Sequence, residues 1–136
     1  MDNDETKHVL SGTWQCTHWY PSEDDSNEES MTHVMTAHQH GNTLVLQSVP
    51  DGEQSYLLVH LNVDGSVASG SWHETTRRQD GYDGPEYSGA GQLVISPDGK
   101  SMAGLWAGAG FDHKLSKMRV YTDKWEIKRV AEADAK

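Results

Sequence analysis

The segment "LLVHLNVDGSVASGSW", residues 57–72, has the pattern of two strands joined by a tight turn. Its first half places apolar side chains at every second position, the period of a strand with one buried face: Leu57, Val59, Leu61 and Val63. An Asp64-Gly65 pair follows, and such pairs favour two-residue hairpin turns because both residues tolerate positive φ. The segment therefore predicts an antiparallel hairpin.

The same pattern recurs along the rest of the chain. Short stretches rich in Val, Leu, Thr, Trp and Tyr are closed by Gly, Asn, Asp or Pro at intervals of about ten to fifteen residues. Helical periodicity is almost absent, so the chain is predicted to be all-β. Eight strands are expected, at approximately residues 10–20, 31–40, 43–49, 55–63, 66–76, 88–96, 101–109 and 118–129.

The lengths of the turns predict how these strands connect. Three short turns join alternate strand pairs: Gly41-Asn42, Asp64-Gly65 and Pro97-Asp98-Gly99. The other connections are longer and more polar, which predicts a single eight-stranded antiparallel up-and-down barrel with a tight base and a loop-rimmed mouth. We expect an N-terminal extension over residues 1–9, the barrel domain over 10–130 and a frayed C-terminal tail over 131–136.

The composition limits the classes of partner. A length of 136 residues fits one domain, and 11 Lys and Arg against 21 Asp and Glu give a formal net charge of −10. That charge disfavours nucleic acid and an anionic membrane surface as partners. Cys16, the one cysteine, cannot form an internal disulfide, and the acidic first ten residues do not resemble a signal peptide. We therefore expect a cytoplasmic protein without a membrane span.

The hairpins also predict which side chains face inward, because a tight turn fixes the register. Reflection through the Asp64-Gly65 turn pairs Val59 with Gly70. The other turns give further facing pairs: Ala37 with Leu46, and Gly91 with Trp106. Gly-x-Trp units recur at 12–14, 70–72 and 104–106, and residues two apart share a face. We expect Gly70 and Gly104 to make room on the inner wall for Trp72 and Trp106.

Two family resemblances follow from these residues. The "GTW" of residues 12–14, the eight-strand meander and the closing "WEIKRV" of 125–130 resemble the calycin superfamily of lipocalin and avidin-like barrels, over roughly residues 10–130. The resemblance implies that Trp14 packs at the closed base under Arg129. It does not imply biotin binding, since no convincing set of biotin-contacting residues is present. The chain is also similar to uncharacterised domains that follow helix-turn-helix segments in some actinobacterial regulators.

Towards the mouth, the inward positions of the predicted strands become polar. His18, His33 and Glu74 share this level, and two imidazoles with a carboxylate can either bind a divalent metal or orient the polar end of an organic ligand. No zinc-type spacing supports the metal alternative, so neither a metal nor a cofactor is expected. His38 and His40 face outward on the same register.

The pattern therefore predicts a non-catalytic barrel that holds a small apolar or aromatic molecule in its lumen. The expected ligand-binding residues are His18, Tyr20, His33, Trp72, Glu74, Trp106 and Tyr121. One alternative is a cofactor-free isomerase, cyclase or lyase with Glu74 or His33 as general acid-base. Another is an interaction scaffold with a filled core that uses its acidic rim, including residues 23–29. The sequence does not indicate the oligomeric state.

Overall fold

The computed structural model describes residues 10–21, 28–49, 56–77, 83–112 and 114–132. These residues form eight strands and no helix. The strands are β1 (Gly12–Pro21), β2 (Glu28–His40), β3 (Thr43–Ser48), β4 (Tyr56–Asp64), β5 (Val67–Arg77), β6 (Asp83–Ile95), β7 (Ser101–Asp112) and β8 (Lys117–Glu132). No helix in the described ranges is long and apolar enough to cross a membrane.

Each strand pairs with the next strand along the chain, and β1 also pairs with β8, so the sheet closes into a barrel. All of these pairings are antiparallel. The predicted eight-stranded up-and-down barrel is therefore confirmed. The predicted extension over 1–9, most of the tail and most of the acidic 23–29 segment lie outside the described residues.

The glycines of the short turns adopt the backbone conformation that the sequence predicts. Gly41, Gly65 and Gly99 have φ of 61°, 62° and 71°, in the left-handed region that glycine enters without steric cost. All three turns lie at one end of the barrel. The opposite end, the mouth, receives the longer connections between the remaining strand pairs.

Several strands extend further towards the mouth than predicted. β2 begins at Glu28 rather than near residue 31, and β6 begins at Asp83 rather than near residue 88. β7 continues to Asp112 rather than ending near residue 109. The added ends are polar or glycine-rich, so they lack the apolar alternation that marks a strand in a sequence. Backbone pairing with their neighbours defines them instead.

The predicted register is confirmed for two hairpins and wrong for one. Ala37 pairs with Leu46, and Gly91 with Trp106, as expected. In the β4–β5 hairpin, Val59 pairs with Trp72 rather than with Gly70. The reason is that Asp64 still belongs to the ladder, opposite Val67, so Gly65 and Ser66 form the turn. The predicted pairing is therefore displaced by two residues along β5. Because side chains alternate with a period of two, every side chain keeps its predicted face.

The lower half of the lumen, nearest the base, is filled by the chain itself. Trp14 is fully buried, and its indole Nε1 donates a hydrogen bond to the Leu10 carbonyl oxygen at 2.9 Å. The Arg129 guanidinium lies 4.7 Å from the centre of the Trp14 ring and donates to the Ser11 carbonyl oxygen at 2.9 Å. This is the packing of Trp14 and Arg129 that the calycin resemblance implied. The Arg129 cation, packed on the aromatic face of Trp14, completes the packing at the base of the barrel.

The tryptophans pack on glycines, but not on those of their own Gly-x-Trp units. The Trp125 ring occupies the space that a Cβ at Gly91 would need, and the Trp72 ring lies against Gly89 and Gly108. At Gly70 and Gly104 a side chain is excluded for a different reason, because a Cβ there would overlap the backbone carbonyl oxygens of His60 and Gln92 respectively. The expectation that these two glycines make room for rings is therefore wrong, since they permit close approach between strands.

Candidate functional site

Above the filled base, five predicted site residues face the interior of the barrel, and we call the part of the interior that they line the upper lumen. It comprises His18 from β1, His33 from β2, Trp72 and Glu74 from β5, and Trp106 from β7. Their direct strand partners include buried side chains: Cys16 opposite His33, Val59 opposite Trp72 and Trp125 opposite His18. Trp72 and Trp106 themselves remain only partly buried although they face inward.

Trp72 and Trp106 form a perpendicular pair. Their ring centroids are 5.7 Å apart with an interplanar angle of 89°, an edge-to-face arrangement that the aromatic quadrupole favours. The Trp106 indole Nε1 donates to the Trp19 carbonyl oxygen at 2.9 Å, so this ring reaches from β7 across β8 to β1. The Trp72 indole Nε1 donates to the Ala90 carbonyl oxygen at 3.2 Å. Both rings are therefore fixed at their polar edge.

His18 and His33 continue this aromatic wall. Their rings are stacked, with centroids 6.1 Å apart and an interplanar angle of 11°. His18 also meets the Trp106 ring edge-to-face, at 6.3 Å and 89°. His33 is buried, with 3% of its surface exposed. The register places His33 opposite Cys16 and His18 opposite Met31, which brings the two imidazoles to adjacent levels of neighbouring strands.

The surroundings of His18 favour its neutral form. Burial lowers the pKa of the His18 imidazole, the nearby His33 lowers it further, and the Glu74 carboxylate opposes both effects. A neutral imidazole has one nitrogen that donates and one that accepts a hydrogen bond, so it can orient a polar ligand group without adding charge. The electrostatic influence of Glu74 also reaches Tyr20 and Cys16.

The two predicted tyrosines lie at the edge of the upper lumen. The Tyr20 ring is 5.8 Å from the His18 ring, and its hydroxyl donates to Glu29 at 3.4 Å. Burial and the carboxylate of Glu29 raise the pKa of Tyr20. Tyr121 lies one level closer to the mouth than Trp106 along the wall, with the Arg119 guanidinium 4.4 Å from its ring centre. Tyr20 therefore borders the upper lumen next to His18, whereas Tyr121 packs against Arg119 closer to the mouth.

Sequence reasoning missed two residues that the register places on the same face. Tyr87 lies directly opposite Glu74 on β6, and Asp123 lies directly opposite Trp106 on β8. Continuing the alternation back from Trp125 would have found Asp123. Tyr87 required the β5–β6 register, which follows a long connection and cannot be read from a tight turn.

The thiol below the upper lumen is unsuited to nucleophilic chemistry. Cys16 is fully buried, and burial raises the pKa of its thiol to about 12. Its sulfur accepts a hydrogen bond from the Trp125 indole Nε1 at 3.0 Å, and this bond lowers the pKa less than burial raises it. A thiol with such a pKa contains almost no thiolate at neutral pH. Cys16 is therefore part of the floor on which the site rests.

The rim between β7 and β8 is held together by one carboxylate. Asp112 accepts hydrogen bonds from the backbone amides of Lys114 and Leu115 at 2.9 and 3.1 Å, and from the Arg119 guanidinium at 3.0 Å. The turn that it caps contains Ser116 with a φ of 54°, in the left-handed region. These bonds fix the position of Arg119, and hence of the ring of Tyr121 beneath it.

A second concavity, of about 400 Å³, lies on the wall of the barrel formed by β4, β5 and β6. It is open to solvent, and its lining combines the polar side chains of His60, Ser71, His73 and Ser88 with Leu58, Trp72 and Gly89. His73 pairs there with Glu86 at 3.1 Å. Groups this exposed bind weakly, because water competes for them. The upper lumen, with its aromatic and buried groups, is the better candidate site.

The upper lumen offers aromatic faces and imidazole nitrogens for contacts with an organic molecule. Within the described ranges, no three His, Cys, Asp or Glu side chains are placed to hold a metal ion together, so this geometry does not support the alternative of a metal site at His18, His33 and Glu74. The aromatic faces and the neighbouring polar groups instead match the composition of a small-molecule pocket. Comparisons with protein-family models, with curated proteins and with solved structures find no match to this chain.

Proposed function

We propose that the barrel binds a small, mostly apolar or aromatic molecule in the upper lumen without transforming it. One observation carries the proposal: Trp72 and Trp106 face inward yet stay partly exposed, although neighbouring inward side chains such as Val59 and Trp125 are buried. Exposed apolar surface inside a barrel costs free energy, about 25 cal/mol for each Å² left in contact with water. A ligand that covers these rings recovers that free energy.

The polar residues beside the rings supply orientation. His18 and His33 approach from one side of the lumen and Glu74 from another, so a ligand polar group can meet donors and acceptors while its apolar body lies on the indoles. Tyr20 stands at the edge through which such a ligand would enter. The role expected of this binding is carriage, storage or sensing.

We also propose that the fold is of the calycin type. The closed eight-stranded up-and-down barrel supports this, as does the stacking of Arg129 on Trp14 at the base. A cytoplasmic location and a kinship with domains of bacterial regulators remain part of the proposal. They rest on the single cysteine and on the sequence resemblance.

Native mass spectrometry of freshly purified protein tests the proposed function. We expect a bound small molecule in the wild type and in a Trp19→Ala variant, because the Trp19 side chain points away from the lumen and lies under Lys124. The Trp106→Ala variant should lose it. Circular dichroism of each variant establishes that the barrel is intact. Retention of the same molecule by Trp106→Ala would place its site elsewhere and refute the proposal.

The same preparation separates the alternatives. Release of a chemically altered molecule would favour the isomerase, cyclase or lyase alternative. A bare mass, together with no change in the indole NMR signals of Trp72 and Trp106 on addition of small aromatic compounds, would favour a scaffold whose lumen takes no ligand.

A further inference from the structure

Resting on the proposed function, we propose that the ligand of the upper lumen is a cation: a small aromatic or apolar molecule that ends in an ammonium group. The apolar body would lie on the indoles, and the ammonium group would lie between the aromatic faces and the Glu74 carboxylate.

Aromatic rings in the upper lumen meet at right angles. Trp106 has a perpendicular neighbour on each of two sides, Trp72 at 5.7 Å and His18 at 6.3 Å, both at 89°. Perpendicular rings form corners at which the face of one ring meets the edge of the next. A cation within about 6 Å of the face of an indole ring is attracted by its quadrupole, more strongly than at any other aromatic side chain. Such corners therefore suit a compact positive group.

Acidic side chains lie on the same walls of the barrel. Glu74 follows Trp72 by two residues on the inward face of β5, and Asp123 lies directly opposite Trp106 on β8. The influence of Glu74 extends over His18, Tyr20 and Cys16, groups from both the wall and the floor. A carboxylate ligand would be placed beside these two acidic side chains, and like charges at such a site select against it.

Basic side chains also lie near the upper lumen. Arg119 faces the interior closer to the mouth, where its guanidinium is paired with Asp112 at 3.0 Å and lies over Tyr121. His18 favours its neutral form for the reasons given above. Neither group therefore adds a positive charge beside the indoles. Burial and the Glu29 carboxylate raise the pKa of the Tyr20 hydroxyl, which therefore carries no charge at neutral pH.

Three probes of similar size and different charge test the inference: 2-phenylethylammonium, 2-phenylethanol and 3-phenylpropanoate. Their affinities are measured at pH 7 from the shifts of the indole NMR signals of Trp72 and Trp106, assigned with single Trp→Phe variants. We expect the ammonium to bind at least about tenfold more tightly than either other probe, since interactions with a charged partner exceed neutral ones by at least that factor.

Three variants locate the cause of the preference. Glu74→Gln keeps the shape of the side chain and removes its charge, so the ammonium should lose about tenfold in affinity while the alcohol changes little. Glu86→Gln removes the same charge from the outer wall, where Glu86 is exposed and paired with His73, and should leave all three affinities unchanged. Glu74→Asp, which restores the charge, should recover part of the preference.

The outcomes distinguish the two proposals. If the alcohol binds as tightly as the ammonium, or Glu74→Gln leaves the preference intact in a folded protein, the ligand is not selected as a cation, and the proposed function still stands. If none of the probes shifts the signals of Trp72 and Trp106, the upper lumen does not bind aromatic molecules, and both proposals fail.

Discussion

Replacement of Gly91 by alanine tests how the barrel accommodates its largest rings. The added Cβ would overlap Cζ3 of Trp125, lie 2.8 Å from Cε3 and lie 3.1 Å from the Leu105 carbonyl oxygen. Trp125 cannot move aside easily, because only 2% of its surface is exposed and its Nε1 is bonded to Cys16 at 3.0 Å. The φ of Gly91 lies outside the left-handed region, so the steric overlap alone opposes the substitution.

Overpacking of this kind costs about 1–3 kcal/mol in free energy of unfolding. For a domain of this size, that loss lowers the Tm by roughly 3–10 °C. The matched control is Gly110→Ala, whose Cβ would lie 3.1 and 3.3 Å from two atoms of the Tyr121 ring. That ring is only partly buried and can shift by a few tenths of an ångström. The control should stay within about 0.5 kcal/mol of the wild type, or gain slightly from a less flexible unfolded chain.

Urea unfolding followed by tryptophan fluorescence and far-UV circular dichroism measures both variants. We expect Gly91→Ala to unfold at a lower urea concentration with an unchanged slope. The reasoning is refuted if Gly91→Ala is as stable as the wild type. It is also refuted if the two variants lose equal stability, because the loss would then come from any alanine in these strands and not from the Trp125 ring.

Four further outcomes follow from the same contacts. Arg129→Met should lose about 1–3 kcal/mol in urea unfolding through its contacts with Trp14 and Ser11, whereas Lys128→Met on the outer wall should change little. Burial raises the pKa of the Asp112 carboxyl group, but the hydrogen bonds from Leu115, Arg119 and Lys114 lower it by more. The pKa of Asp112 therefore lies below its ordinary value of 3.8. Its stabilisation is therefore present above pH 3.8 and lost as the pH falls through the lower folded value; Asp112→Asn should show a weaker loss on that acid limb. Cys16, with a pKa of about 12, should resist iodoacetamide at pH 8 until urea unfolds the barrel, as read from intact mass. The imidazole signals of His18 should titrate below pH 6.5 in NMR, since burial lowers its pKa, and titration at or above 6.5 would contradict the packing described.

The turns and the alternation of side chains made the architecture predictable. Tight turns at Gly41, Gly65 and Gly99 are local features, and the up-and-down order follows from their spacing. The one wrong register shows the limit of that reasoning. Asp64 and Gly65 both tolerate a turn, and only pairing energies over the whole hairpin decide that Asp64 stays in the ladder. Because the turn lies one residue further along the chain than predicted, each residue of β4 pairs two residues further along β5 than predicted.

The candidate site was predictable in its residues but not in its contacts. The two-residue period placed His18, His33 and Glu74 on the inner face, and the structure stacks His18 on His33 and sets it against Trp106. Which glycine receives which ring depends on how far an indole reaches across a coiled sheet. Trp72 passes over β6 to Gly108 on β7, a contact that no local pattern encodes. Polar inward positions such as Asp123 also lack the apolar signal that identifies a core residue.

The glycines of the inner wall act differently along the barrel axis, and this difference connects the fold to the proposed binding. At the level of Gly91, the ring of Trp125 is enclosed on every side, so the missing Cβ serves packing. At the level of Gly89 and Gly108, the missing Cβ atoms let the Trp72 ring lie close against β6 and β7, while part of its surface stays exposed. A Cβ at Gly108 would overlap the Trp72 ring, and one at Gly89 would overlap the Ala107 carbonyl oxygen as well as approach that ring. Glycine therefore lets the Trp125 ring be enclosed near the base but leaves part of Trp72 exposed closer to the mouth, so a barrel that contains many tryptophans need not bury all of them.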